Sequence, residues 1–260
     1  MVDMTFTMEA IELFLLVFTR VTCFLFIAPF FSIGNTPKRV KVGLGFFVAI
    51  VIFQVLPVQT LPSYETIFGY ASLVIKEGIA GLLLGFGAQM TLMIISFAGR
   101  LIDTETGLAM ASQFDPATKT ETTLSGMIYQ YAVMLILLVS GMFEYLIRAL
   151  VESFTLIPVT GVVIHTEALL ESMILFLGDY VILGFRIALP VFVVISMLNC
   201  ILGILAKVSP QMNMFAVGIQ LKVVIGLMII FITMKLLPMV SEIIFTEVKQ
   251  ITVSFVEGMM

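Results

Sequence analysis

The sequence predicts an all-α, polytopic membrane protein, and three observations carry that expectation. Of its 260 residues, 60% are hydrophobic and only 12% are charged, where a soluble domain carries about 25%. Mean hydropathy is +1.17. Charge-free runs recur at roughly the 20-residue length that a helix needs to cross about 30 Å of hydrocarbon.

Four runs are free of Asp, Glu, Lys and Arg: Val42 to Tyr64, Gly78 to Gly99, Thr122 to Phe143 and Ile187 to Ala206. Ile11 to Phe31 is interrupted by Glu12 and Arg20, and Met212 to Leu237 by Lys222 and Lys235. These six are the expected spanning helices, with a possible seventh from Leu169 to Phe185 that holds Glu171 and Asp179. Helix is favoured because an isolated apolar strand leaves its backbone unpaired in lipid. A membrane barrel would alternate polar and apolar residues, and stretches such as MLILLV and GLMIIFI do not.

The connections complete the plan. Ser32 to Lys41 is basic and turn-rich, Pro57 to Ser63 holds two prolines, and Arg100 to Glu121 and Arg148 to Glu171 are long and polar. Lys38, Arg39 and Lys41 form the densest positive cluster, which the positive-inside rule assigns to the cytoplasm. The acidic start (Asp3, Glu9, Glu12) is then outside, and it does not resemble the basic start of a secretory signal. The first segment is expected to stay in the mature protein.

Composition also excludes function classes. The net charge of −4 comes from scattered residues, so no basic face for nucleic acid appears. Cys23 and Cys200 both lie in apolar runs and read as buried thiols rather than a disulfide or a metal site. Walker, GxSxG, HExxH and CxxC motifs are absent. No enzyme, no metal and no cofactor are expected.

Ionisable groups inside apolar helices are the first candidates for a role: Arg20, Lys76, Glu77, Glu144, Asp179, Arg186, Lys222 and Lys235. A proton relay would stack carboxylates or histidines, but the single histidine, His165, falls in a connection. These charges are therefore read as contacting partners or water. Glu144, Arg148 and Glu152 have the i, i+4, i+8 spacing of an ion-pair ladder. Lys222 lies about ten residues, or roughly 15 Å, past its expected helix start. That is too far for its stem to reach the interface, so a polar pocket shared with another subunit or with water is expected. A helix lying outside the bilayer is the plainer alternative. Gly78, Gly81, Gly85 and Ala88 make a low ridge of the kind that lets helices approach closely. In the Arg100–Glu121 connection, Asp115-Pro116 should open a turn, and Met110 and Phe114 are apolar among threonines and serines. A solvated tip is the plain reading, and a plug the alternative.

In order, these features resemble the FliR family of type III export-gate subunits. Arg20, Ala28-Pro29, Pro37 and Lys41 match the family's opening, and Glu77-Gly78 with Gly81 and Gly85 match its next block. Gly99, Asp103, Gly107 and Asp115-Pro116 match the loop block, and Ser153-Phe154 and Pro158 the second connection. The most specific piece is PQMNMFAVGIQLKVVIGL, with Pro210, Met212-Asn213, Phe215, Gly218 and Leu221-Lys222 in family positions. Gln220 stands where the family has proline, which removes an expected kink. The resemblance runs from about residue 9 to residue 240.

It implies one subunit of a gate built with FliP and FliQ, wrapped by FlhB and served by FlhA, through which unfolded flagellar proteins leave across the inner membrane at the flagellar basal body. It implies long kinked helices, a FliP-like part over 1–172 and a FliQ-like hairpin and tail over 173–260. A pore plug is implied at Gly107 to Thr122, including Gly107, Met110, Phe114, Asp115 and Pro116. Assembly positions are implied at Glu77, Gly81, Gly85, Pro210, Asn213, Phe215, Gly218 and Lys222. Some relatives serve virulence injectisomes. A secondary transporter of small solutes, which would show an inverted repeat and a midplane site, is the alternative; no repeat is visible.

Overall fold

The computed structural model describes residues 8–31, 36–56, 67–109, 124–209, 211 and 213–260. Among these the chain is helical without strands: α1 Met8–Ile27, α2 Lys38–Val55, α3 Ile67–Thr106, α4 Leu124–Val139, α5 Met142–Leu156, α6 Thr166–Val208, α7 Met214–Thr233 and α8 Leu237–Glu257. A short 3-10 turn, Met234–Leu236, joins α7 to α8.

The helices are longer than the charge-free runs, and the reason is local. A buried or snorkelling charge does not stop a helix, whereas a residue that must leave helical φ/ψ does. Thus α3 is 40 residues long, roughly 60 Å, and absorbs Lys76, Glu77, Arg100 and Asp103 before Gly107 ends it at φ 81°. The polar connection expected from Arg100 therefore begins only at Gly107. α6 fuses the two segments expected at Leu169–Phe185 and Ile187–Ala206 into one 43-residue helix that carries Pro190 inside it. The run expected from Thr122 to Phe143 breaks at Ser140-Gly141, where Gly141 adopts φ 84°. The chain resumes as α5, so the second expected connection shrinks to residues 157–165. α2 begins directly after Pro37 and takes in the basic Lys38, Arg39 and Lys41, so the basic cluster lies in a helix rather than in the expected turn. α8 lies beyond every run read from the sequence.

By length and composition, four helical stretches among the described residues can cross a membrane: Met8–Ile27, Ile67–Thr106, Thr166–Val208 and Val217–Glu257. A fifth arises if the broken pair α4 and α5 counts as one. α2, with three basic residues among its 18 described ones, is not one of these stretches.

Packing divides the chain into two compact units interleaved along the sequence. Unit 1 comprises Met1–Thr91, Gly141–Phe176 and Thr246–Met260; unit 2 comprises Leu92–Ser140 and Leu177–Phe245. In unit 1, α1 packs on α2 through edge-on phenylalanines: Phe14 lies 5.5 Å from Phe46 and 5.7 Å from Phe53, and Phe18 lies 5.9 Å from Phe46. Residues 161–165 pair with the end of the chain, Val163 N–H donating to Met259 O and His165 N–H to Gly258 O. In unit 2, Gly184 gives the room that seats Phe97, and Gly226 seats Thr106. Phe97 also stacks on Tyr180 at 5.2 Å. The outward faces of α6 and α7 remain apolar, with Leu189, Met197, Ile204, Val224 and Phe231 exposed. Exposed apolar surface on this scale needs lipid or protein to cover it.

Candidate functional site

Unit 1 is built around a buried ion pair. Arg20, from the middle of α1, and Glu77, from the early part of α3, are both 0% exposed. Arg20 Nε donates to Glu77 Oε2 at 2.6 Å and Nη2 to Glu77 Oε1 at 3.1 Å, the two-pronged geometry in which a guanidinium matches a carboxylate. Arg20 Nη1 donates to the carbonyls of Ser153 and Ile157, each at 3.0 Å. Those carbonyls close the C-terminal end of α5, where orphan acceptors and the helix dipole favour a cation. The guanidinium also lies over the Phe154 ring, 4.3 Å from its centroid. Four of the five arginine N–H groups are thereby used.

Glu77 does a second job. Its Oε1 accepts the Thr160 N–H at 3.0 Å. Thr160 has φ 77°, a left-handed conformation that is strained for a β-branched residue. The carboxylate, together with the Gly161 N–H to Pro158 O bond at 2.8 Å, holds that turn. One pair therefore joins α1, α3, the end of α5 and the turn that follows.

The pair needs α1 and α3 in near contact, and the glycine ridge supplies this. A Cβ at Gly81 would collide with the backbone carbonyl of Arg20 itself, and one at Gly85 would lie 2.8 Å from Phe24 O. Gly78, with Thr19 and Cys23 opposite at 3.6 Å, has ordinary room. The residues expected at an assembly surface, Glu77, Gly81 and Gly85, are thus engaged inside the chain's own packing.

Of the other expected residues, Gly107, Asn213, Gly218 and Lys222 belong to unit 2. Gly107 is a turn residue with open space where a Cβ would stand; Met110, Phe114, Asp115 and Pro116 lie outside the described residues. The two ends of that loop are tied by Asp103. Its carboxylate, 1% exposed, accepts the Ser125 N–H at 3.2 and 3.3 Å, satisfying a free donor at the start of α4. Pro210 lies outside the described residues, and of Phe215 only the helical backbone is described. Asn213 directly precedes α7, and its carbonyl accepts the Val217 N–H at 3.2 Å, as at an N-cap. Gly218 is buried, with Leu202 of α6 at 3.4 Å from an added Cβ. Lys222 is half-buried and has no hydrogen-bond or ion-pair partner among the described residues. Of the ladder on α5, the Arg148–Glu144 rung forms at 3.2 Å, well exposed. No cluster of His, Cys, Asp or Glu able to hold a metal occurs among the described residues.

Sequence reasoning flagged Arg20 and Glu77 separately but did not pair them, and it missed the roles of Ser153, Phe154 and Thr160. The available signal was complementary charge in two apolar helices, with a glycine one turn after the glutamate.

A family model described as bacterial export proteins, family 1, matches residues 11–248. The flagellar biosynthetic protein FliR of Pectobacterium carotovorum subsp. carotovorum is 30% identical over 233 residues, covering 89% of this chain and 87% of the relative. FliR of Bacillus subtilis is 28% identical and covers 90% of each. The surface presentation of antigens protein SpaR of Shigella flexneri is 27% identical, covering 88% of this chain and 90% of the relative.

Gly81→Ala should lower stability by about 1–3 kcal/mol, the usual cost of overpacking, because the atom in its way is backbone. Gly43→Ala, with nothing within 4 Å, should cost nothing. Unfolding of the purified chain by sodium dodecyl sulfate checks both; equal stability of the two variants would disprove the close approach.

Proposed function

The chain belongs to the bacterial export proteins, family 1, as a member of the FliR family, and from that premise we propose that it is a non-enzymatic membrane subunit of the flagellar type III export gate. The near full-length match, residues 11–248, carries this reading. In it, the chain joins FliP and FliQ subunits in a channel for unfolded flagellar proteins, with FlhB and FlhA as further partners, in the inner membrane at the flagellar basal body. Residues 1–172 play the FliP-like part and 173–260 the FliQ-like hairpin and tail.

Two physical features support a subunit that works in company. The outward faces of α6 and α7 are apolar, and α7 carries Lys222, which has no partner among the described residues. A lysine in the middle of a lipid-facing helix costs about 2.5–3.5 kcal/mol on insertion scales, so a partner's carboxylate or carbonyls, or a water-filled space, is the less costly neighbour. Asn213 precedes that helix and Gly218 lies in its early turns; with Pro210 and Phe215 they are assembly positions by their motif match.

The loop Gly107–Thr122 is assigned as the pore plug by its motif position, its Met110 and Phe114, and the Asp103 tie at its root. Apolar constrictions close a channel by dewetting. Removing residues 110–122 should raise ion leak through the reconstituted gate; unchanged conductance would remove the plug from the account.

Purification in mild detergent tests the main reading. The chain should emerge with several different small membrane proteins, and Lys222→Met should reduce their recovery while the chain's own yield holds. Recovery alone or as a homo-oligomer would favour a small-solute transporter instead.

A further inference from the structure

We propose that unit 2 binds one anionic phospholipid, with an acyl chain in the cavity between α4, α6 and the α7–α8 corner and the phosphate on Arg186. The site does not depend on the export reading, only on a membrane setting.

The cavity measures about 190 Å³ and is lined mainly by apolar side chains, among them Leu183, Ile187, Pro190, Leu237 and Val240. It is larger than the void of roughly 150 Å³ that takes up a benzene ring in an engineered core, so a length of hydrocarbon fits. Its two wall hydroxyls are occupied with each other. Thr233 Oγ donates to Ile230 O at 2.9 Å, which leaves the Tyr129 hydroxyl to donate to Thr233 Oγ at 2.6 Å. Neither wall hydroxyl therefore calls for water. Pro190 has no N–H to return to the Arg186 carbonyl, which loosens α6 beside the cavity.

The lining holds one cation. Arg186 is exposed, surrounded on α6 by the exposed apolar Ile182, Phe185 and Leu189, and has no hydrogen-bond or ion-pair partner among the described residues. Asp179 lies on the same face seven residues earlier, about 10 Å along the helix, beyond ion-pair reach. Glu242, on the lining stretch of α8, already has an interaction within the chain. Lys235, between the lining residues Thr233 and Leu236, is exposed and adds a second positive charge. An apolar slot with a free guanidinium at its mouth is complementary to an amphiphile that carries a phosphate, which arginine grips bidentately. A carboxylate from a protein would answer the arginine but leave the slot unfilled.

Native mass spectrometry of the purified full chain in detergent, titrated with phosphatidylglycerol and then phosphatidylcholine, tests this. Phosphatidylglycerol should reach half occupancy at about a tenfold lower concentration, the effect of one additional charge-assisted contact. Arg186→Gln, at an exposed position, should erase the preference, and Val240→Phe should weaken binding of both lipids by occupying the cavity. Equal binding of the two lipids by the unaltered chain, or a preference that survives Arg186→Gln, would overturn the proposal. So would displacement by inorganic phosphate alone, which would mean a free-anion site. Loss of co-purifying protein in Arg186→Gln with lipid preference intact would assign the arginine to a protein partner instead.

Discussion

The Arg20–Glu77 pair is the constraint on which unit 1 depends. Removing two charges from water costs several kcal/mol per ion, and the attraction between them repays this only when the remaining donors and acceptors are also satisfied. Here they are. The guanidinium closes the end of α5, lies on Phe154 and meets both carboxylate oxygens, while the carboxylate also holds the strained Thr160 turn. Elements distant in sequence, residues 20, 77 and 153–160, are fixed to one another by two side chains. The close approach of α1 to α3 at Gly81 is the steric condition for that contact, so the glycine ridge and the ion pair are one device.

The internal engagement of these groups decides which surface the chain offers to its surroundings. Packing between apolar helices gains nothing from the hydrophobic effect when lipid is the alternative surrounding. A polar centre supplies direction where apolar packing supplies little, and it leaves the outward faces of α6 and α7 for lipid and partners. The structure thus separates two kinds of intramembrane charge. Arg20 and Glu77 are consumed in holding the chain together, whereas Lys222 and Arg186 have no partner among the described residues.

The helical, membrane-embedded class was legible from composition and run length because lipid imposes helix on any long apolar segment. Helix ends were not legible, because charges were used as boundaries. α3 and α6 run straight through Lys76, Glu77, Asp179 and Arg186; the left-handed Gly107 ends α3, and the left-handed Gly141 separates α4 from α5. α8 was missed because it is less apolar than a span, although Leu237, Ser241, Ile244, Val248, Ile251 and Phe255 recur at the three- and four-residue intervals of a helix with one buried face. The pairing of Arg20 with Glu77 was not legible because 57 residues separate them and nothing local reports a long-range contact. The loop block was readable only through its resemblance to a family.

A double-mutant cycle on Arg20 and Glu77 tests the central claim most directly, with unfolding of the purified chain as the readout. Arg20→Met and Glu77→Leu should each destabilise by about 3–5 kcal/mol, since each leaves a buried charge unpaired. The double variant should cost clearly less than their sum, with a coupling of at least about 1–3 kcal/mol, the upper part of the range for contacting residues. Additivity within about 0.5 kcal/mol would show that the two residues act independently, and would contradict the account of unit 1 as built around their contact.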